Sequence, residues 1–211
     1  MAVVFDLDGV LVDSTAVVER AWRRWAAAHD VPAADVLAVA HGRPAREVVE
    51  AFAPHLDAEA EAALLDGWEA ADPTALLAVP GAAACVSTAR RGPWAIATSG
   101  GRSLALSRLV TAKLPVPDVL ITADDVHAGK PEPEPYLRAA EGLGLSPEDC
   151  IVVEDAPAGV IAAKRAGMAV VAVSTTHKAA ELAGADLVCG GMRDVRRHLI
   201  AALQRRPRSA S

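Results

Sequence analysis

Short apolar runs recur along this chain without the polar alternation that marks a half-exposed strand. The clearest are residues 3–5, 94–98, 150–153 and 169–173, and the runs 119–122 and 185–188 are of the same kind. Continuous apolar runs of this length fit strands that are covered on both faces. They therefore predict the strands of a buried, parallel sheet.

Helical periodicity fills the stretches between these runs. Residues 102–112, 134–142 and 157–167 follow the three- and four-residue spacing of an apolar helix face, and Gly142 is predicted to end the second of these helices. Alternation of strand and helix favours a parallel sheet with helices on both faces. The predicted fold is α/β, a Rossmann-like core of three layers.

One long region interrupts the alternation. Residues 14–79 contain no convincing strand, only the helical segments 15–29, 45–53 and 58–71, separated by Pro- and Gly-containing stretches. The simplest arrangement is an inserted α-helical cap spanning 14–79, with a catalytic core made of 1–13 and 80–211.

Composition limits the possible partners. The 211 residues are 52% hydrophobic and carry a formal charge of -6, and cations cluster only in the tail at 205–208. Nucleic-acid binding draws on clustered cations, so nucleic acid is not an expected partner. No apolar run approaches the roughly 20 residues that cross a bilayer, so no membrane association is expected. Three widely spaced cysteines match no disulfide or zinc pattern, which favours a cytoplasmic protein.

Polar residues follow several of the predicted strands. Asp6 and Asp8 come directly after the first strand, and alternation places both carboxylates on one side. Two neighbouring carboxylates are costly unless a cation or a shared proton compensates them, and a hard divalent cation is the expected partner. A solvated turn would use the same residue types, so this segment alone does not distinguish a metal site from a turn.

Three further strand ends carry reactive groups. Thr98 and Ser99 offer hydroxyls near a helix start, Lys130 offers a cation in a loop, and Glu154 with Asp155 offers two more acids. Hydroxyls also cap helices, and a loop lysine is ordinary on its own. Polar groups at the carboxyl ends of parallel strands nevertheless converge on one crevice. The sequence therefore predicts one site that contains all of them.

These four elements, in this order, resemble the haloacid dehalogenase superfamily. The matching segments are Phe5-Asp6-Leu7-Asp8-Gly9, Ala97-Thr98-Ser99-Gly100, Gly129-Lys130-Pro131 and Val153-Glu154-Asp155-Ala156-Pro157-Ala158-Gly159. The likeness extends over about residues 2–200. It is greatest to the branch with a helical cap, which holds beta-phosphoglucomutase and the sugar and glycerol phosphate phosphatases.

The resemblance implies a magnesium-dependent phosphatase acting on a small sugar or polyol phosphate. Asp6 would attack phosphorus, and Asp8 would serve as acid and then base. Thr98, Ser99 and Lys130 would hold the phosphoryl group. Magnesium would be bound by the Asp6 carboxylate, the backbone carbonyl of Asp8 and the Asp155 carboxylate, and Glu154 would position either the water molecules of the metal or the Lys130 side chain.

The cap is where the resemblance places substrate selection. His41, Arg43 and Arg46 lie in the segment that corresponds to the cap loop of the sugar phosphatases, although each could equally be a solvated helix-end charge. Val18 stands where mutases carry a histidine, which favours a phosphatase over the alternative of a phosphosugar mutase. A non-catalytic binding protein on the same fold is the remaining alternative.

Overall fold

A computed structural model describes residues 1–40, 43–72, 74 and 76–204. His41, which the sequence singles out as a possible substrate contact, and the arginine-rich tail at 205–208 lie outside these residues.

A six-stranded sheet forms the centre of the molecule. The strands of the described residues are β1 (Ala2–Phe5), β2 (Val12–Asp13), β3 (Leu77–Ala78), β4 (Trp94–Ala97), β5 (Val119–Ile121), β6 (Cys150–Glu154), β7 (Ala169–Val173) and β8 (Leu187–Cys189). The central sheet has the order β5-β4-β1-β6-β7-β8, and every neighbouring pair is parallel. A separate antiparallel pair consists of β2 and β3.

Helices cover both faces of the six-stranded sheet, as predicted. The helices of the described residues are α1 (Thr15–Ala28), α2 (Ala33–Ala40), α3 (Ala45–Phe52), α4 (Ala58–Ala71), α5 (Ala82–Ala89), α6 (Arg102–Thr111), α7 (Glu134–Leu143), α8 (Pro157–Arg165) and α9 (Met192–Gln204). Val3 and Phe5 of β1 face a core shared with α5, α6 and α9, whereas Ala2 and Val4 face a second core shared with α7 and α8. The α/β class is confirmed.

The helices α1 to α4 form a unit with its own apolar core. Trp25 is fully buried there and meets the ring of Trp22 edge to face, with 5.4 Å between ring centroids. Below this unit, β2 pairs with β3, which joins the chain segments that lead into and out of it. This arrangement places the helical unit over the carboxyl end of β1.

The structure corrects two local predictions. Leu77–Ala78 forms a strand inside the stretch predicted to have none. It pairs with Val12–Asp13, which is remote in sequence, so no local pattern predicts the pairing. Gly142 does not end α7, which continues to Leu143 and ends at Gly144 with a φ of 66°. Gly142 instead packs against Val119, where an added Cβ would lie 2.9 Å from a methyl group.

Within the described ranges, none of the helices combines the length and the apolar character needed to pass through a bilayer.

Candidate active site

The carboxyl ends of three adjacent strands meet in one cleft between the sheet and the helical unit. Asp6 follows β1, Thr98 follows β4 and Asp155 follows β6, and β1 lies between the other two strands. All three side chains line the cleft together with Asp8 and Ser99. The chain reverses its strand order at β1, which is where open parallel sheets commonly bind ligands.

Lys130 reaches Asp6, at the base of this cleft, from the chain segment that follows β5. Its ammonium donates to Asp6 Oδ1 at 2.5 Å and to Glu154 Oε1 at 2.7 Å, and its side chain is only 2% exposed. Burial disfavours the charged amine, but the charges of Asp6 and Glu154 outweigh burial and raise the pKa of Lys130 well above its ordinary value. Lys130 is therefore a fixed cation beside Asp6.

Glu154 is held by four donors. Besides Lys130, it accepts from the Tyr136 hydroxyl at 2.7 Å and from the backbone N–H groups of the two following residues at 2.8 and 3.0 Å. Gly159 makes this possible, since a Cβ there would lie 1.6 Å from Glu154 Oε1. Burial alone would raise the pKa of Glu154, but Lys130 and the other donors lower it below its ordinary value. Glu154 is therefore a buried anion in contact with the Lys130 ammonium.

Three carboxylates crowd together at the base of the cleft. Oxygens of Asp6, Glu154 and Asp155 all lie within 4.8 Å of one another. Burial raises the pKa of Asp6 from 3.8 to about 7 despite the opposing Lys130 charge, and burial together with the charges of Glu154 and Asp6 raises the pKa of Asp155 well above its ordinary value. One lysine does not compensate this cluster.

A divalent cation fits this donor set. Hard oxygen ligands such as these carboxylates are what Mg²⁺ prefers. Gly9 leaves room for the Asp155 carboxylate, because a Cβ at Gly9 would lie 2.0 Å from Asp155 Oδ2. The Thr176 hydroxyl donates to that same oxygen and orients it. Asp6 and Asp155 could therefore hold a magnesium ion at the base of the cleft.

Asp8 is fixed at both carboxylate oxygens. The Ser14 hydroxyl donates to Oδ1 at 2.6 Å, and Arg108 Nη1 donates to Oδ2 at 2.6 Å. Ser14 lies at the start of α1 and Arg108 lies on α6, so two different elements aim this side chain. Both Asp8 and Arg108 line the cleft.

The two hydroxyl residues after β4 differ in their contacts. Thr98 is buried, and its Oγ1 accepts a hydrogen bond from the Gly100 N–H at 3.3 Å. The Ser99 hydroxyl is buried and has no hydrogen-bond partner among the described residues. An unpaired buried hydroxyl is costly unless a ligand satisfies it. Ser99 is therefore suited to contact a bound oxyanion.

The cap candidates separate into two places. Arg43 lines the cleft and lies 3.5 Å from Glu47. Arg46 instead lines a neighbouring cleft between helical unit and core together with Glu59, which lies 3.9 Å from it, and Glu50 lies 3.7 Å from Arg46 on the same helix. Trp22 also lines the main cleft, so it is both a core residue of the helical unit and a cleft residue.

Several cleft residues were missed by the sequence analysis. They are Asp66 and Glu69 on α4, Arg108 on α6, and Thr176 after β7. Arg108 could have been noticed, since it falls among the apolar positions of a predicted helix, and Thr176 closely follows a predicted strand. Nothing local distinguishes Asp66 and Glu69 from the other acids of α4.

The Rossmann-like sheet brings Asp6, Asp8, Thr98 and Asp155 to one cleft, and Lys130 pairs with Asp6. The chain belongs to the haloacid dehalogenase-like hydrolases, since the sequence model of that family matches residues 1–167.

Phosphatases are prominent among the similar proteins. The chain is 43% identical over 197 residues to hexitol phosphatase A of Escherichia coli strain K12, an alignment that covers 91% of each protein. It is also 43% identical over 201 residues to validoxylamine A 7'-phosphate phosphatase of Streptomyces hygroscopicus subsp. limoneus, covering 92% of this chain and 94% of the relative. A crystal structure of a hydrolase from Pseudomonas syringae superimposes with a TM-score of 0.83 at 29% identity, covering 95% and 98% of the two chains.

Proposed function

We propose that this protein is a magnesium-dependent phosphatase that hydrolyses sugar or polyol monophosphates through an aspartyl phosphate on Asp6. The observation that carries the proposal is the buried Asp6 carboxylate, paired with Lys130 and facing the same cleft as Asp8. The named activities of the hexitol and validoxylamine phosphatases support the substrate class.

In the first step, an Asp6 oxygen attacks phosphorus and the bond from phosphorus to the ester oxygen breaks. Asp8 gives its proton to the departing oxygen, so the leaving group departs as a neutral alcohol. Lys130, Thr98 and Ser99 hold the phosphoryl oxygens during this transfer. A dianionic phosphate can approach a carboxylate only if cations offset the repulsion.

In the second step, Asp8 takes a proton from a water molecule, whose oxygen attacks the phosphorus of the aspartyl phosphate. The bond between phosphorus and the Asp6 oxygen breaks, and inorganic phosphate leaves. The hydrogen bonds from Ser14 and Arg108 hold Asp8 for both proton transfers. Asp6 returns to its carboxylate form.

Magnesium would be held by the carboxylates of Asp6 and Asp155 and by the Asp8 backbone carbonyl. When bound, it supplies positive charge that offsets the clustered acids and the incoming phosphate. Glu154 has its oxygens occupied by four donors and would stay behind this site, orienting Lys130.

The state of the cysteines bears on the compartment that we expect for this protein. All three cysteines are buried and free, and burial raises the pKa of the Cys85 thiol to about 11, which suits unreactive core residues. We place the protein in the cytoplasm, with a small phosphate ester as its partner and no nucleic acid.

The proposed activity is tested by phosphate release from hexitol, hexose and glycerol monophosphates. We expect steady release of inorganic phosphate, because Asp8 lines the same cleft as Asp6, and Val18 lines it at the position where the mutases carry a histidine. Isomerised sugar phosphate should not appear faster than phosphate, even with a bisphosphate primer. Isomerisation that is much faster than phosphate release would contradict the phosphatase assignment and indicate a mutase. If no ester is turned over, the protein would be a binding protein on the same fold.

The stabilisation of the fold by magnesium should depend on pH. Because the pKa of Asp6 is about 7 in the metal-free fold against 3.8 ordinarily, the folded chain binds a proton that the unfolded chain lacks between those values. The free energy of unfolding of the metal-free protein should therefore fall as pH rises through this range. Magnesium replaces that proton, so it should raise the melting temperature more at about pH 8 than at about pH 5.

The measurement is thermal unfolding with EDTA or with magnesium at both pH values, alongside phosphate release. EDTA should abolish turnover, and added magnesium should restore it. Full activity in chelated enzyme, or a magnesium shift that is larger at acid pH, would contradict the metal assignment.

A further inference from the structure

Arg108 is a buried cation that bridges the two parts of the molecule. It lies on α6 of the core, yet its Nη2 donates to Glu69 on α4 of the helical unit, while its Nη1 donates to Asp8. The side chains of Arg108 and Glu69 are 4% and 7% exposed. Burying both charges of this ion pair costs desolvation free energy, so a buried ion pair is weak evidence for stabilisation of the fold. Its position in the cleft therefore suggests a role in binding substrate.

The pair keeps unused hydrogen-bonding capacity. A guanidinium has five N–H donors, and the buried Nε–H of Arg108 has no partner in the described part of the chain. Glu69 can accept further hydrogen bonds, since a carboxylate has about four acceptor positions. Next to it, Asp66 accepts from the Gly101 N–H at 2.9 Å. Donors and acceptors therefore stand side by side at this end of the cleft.

Apolar side chains also line this cleft. Val18 and Trp22 of α1 and Leu104 of α6 line the same cleft as Glu69 and Arg108. A carbon chain carrying hydroxyls matches such a surface, because its C–H groups pack on the apolar walls. Its hydroxyls can donate to Glu69 and accept from Arg108.

Charge argues against a second anion in this position. Arg108 already faces Asp8 and Glu69, and Arg43 faces Glu47. A carboxylate or second phosphate on the leaving group would meet Glu69 and Asp66, while both arginines among the described residues of the cleft already face acids. Like charges in a buried site are strongly disfavoured.

From this geometry we propose that Glu69 and Arg108 determine substrate specificity, selecting neutral polyhydroxylated leaving groups and rejecting anionic ones. The inference rests on the proposed phosphatase activity and adds the residues that choose among its substrates.

The test compares two esters that share a carbon chain. A hexitol monophosphate presents the additional hydroxyls, whereas hexyl phosphate lacks them. Glu69→Gln keeps the shape and an oxygen for Arg108 but removes the acceptor charge. We expect kcat/KM for the hexitol ester to fall about 10- to 100-fold and that for hexyl phosphate to change less than about 3-fold.

Glu59→Gln is the matched control, since it makes the same change on the same helix at an exposed side chain. It should leave both values as they are. The wild type should also favour the hexitol ester over phosphoglycolate, whose leaving group is anionic, by about 10-fold or more.

Equal losses on both esters in Glu69→Gln would overturn the proposal, since they would indicate a general effect on folding or catalysis. Unchanged hexitol turnover or equal use of phosphoglycolate would also overturn it. If Glu69→Gln fails to fold, Glu69→Asp retains the buried charge with a shorter reach and should show the same selective loss. A wild type that hydrolyses no ester would refute the proposed function itself.

Discussion

Asp6→Asn is expected to lower kcat by about four orders of magnitude or more without unfolding the protein. A carboxamide has nearly the same shape but does not form the acyl phosphate. Its oxygen can still accept the hydrogen bond from Lys130, whose second partner Glu154 is unchanged. The measurement is phosphate release from a hexitol monophosphate, with circular dichroism and thermal melting to establish the fold.

Asp118→Asn provides the control for this substitution. Asp118 is exposed just before β5, so its neutralisation should change neither turnover nor melting temperature. Near-normal rates in folded Asp6→Asn protein would refute the role of Asp6 as nucleophile.

Lys130→Met should both abolish turnover and destabilise the fold by about 3–5 kcal/mol. Methionine has a similar length but no charge, so Asp6 and Glu154 would be left buried without their shared cation. The Tyr136 hydroxyl would still reach Glu154, but a neutral hydroxyl does not replace an ammonium. Urea unfolding with EDTA present measures the stability, and phosphate release measures the activity.

Lys164→Met is the matched comparison. Lys164 pairs with Asp186 at 2.7 Å, but its side chain is 41% exposed, so losing this ion pair should cost only about 1 kcal/mol or less and leave turnover intact. If Lys130→Met were as stable as Lys164→Met, the buried ammonium would not be holding the acids together. If it kept turnover, the phosphate-holding role would be wrong.

The link between these predictions is charge compensation. Asp6, Glu154 and Asp155 crowd at the carboxyl ends of β1 and β6, and the Lys130 ammonium offsets part of their charge through its hydrogen bonds to Asp6 and Glu154. Residues elsewhere in the fold serve this arrangement. Gly159 has no side chain because the Glu154 carboxylate occupies its space, and Tyr136 lies under the sheet with its hydroxyl on the same carboxylate.

The sequence by itself determined the elements whose information is local. Continuous apolar runs predicted all six strands of the main sheet to within two residues at each end, because burial on both faces leaves a pattern of consecutive apolar residues. The helix at 58–71 was predicted with its exact bounds, and Asp57 caps it through hydrogen bonds to the N–H groups of Glu59 and Ala60. The residues after strands β1, β4 and β6 were predicted to converge, and they do.

Only the tertiary structure decided how distant segments meet. Glu69 is one of several acids on α4, and it differs from Glu59 only because the helical unit turns it toward Arg108. The pairing of Val12–Asp13 with Leu77–Ala78 and the separation of Arg43 from Arg46 into different clefts also depend on how the helical unit lies over the core. A pattern of spacing reports which face of an element is buried, but the partner across that face is fixed only when the whole chain has folded.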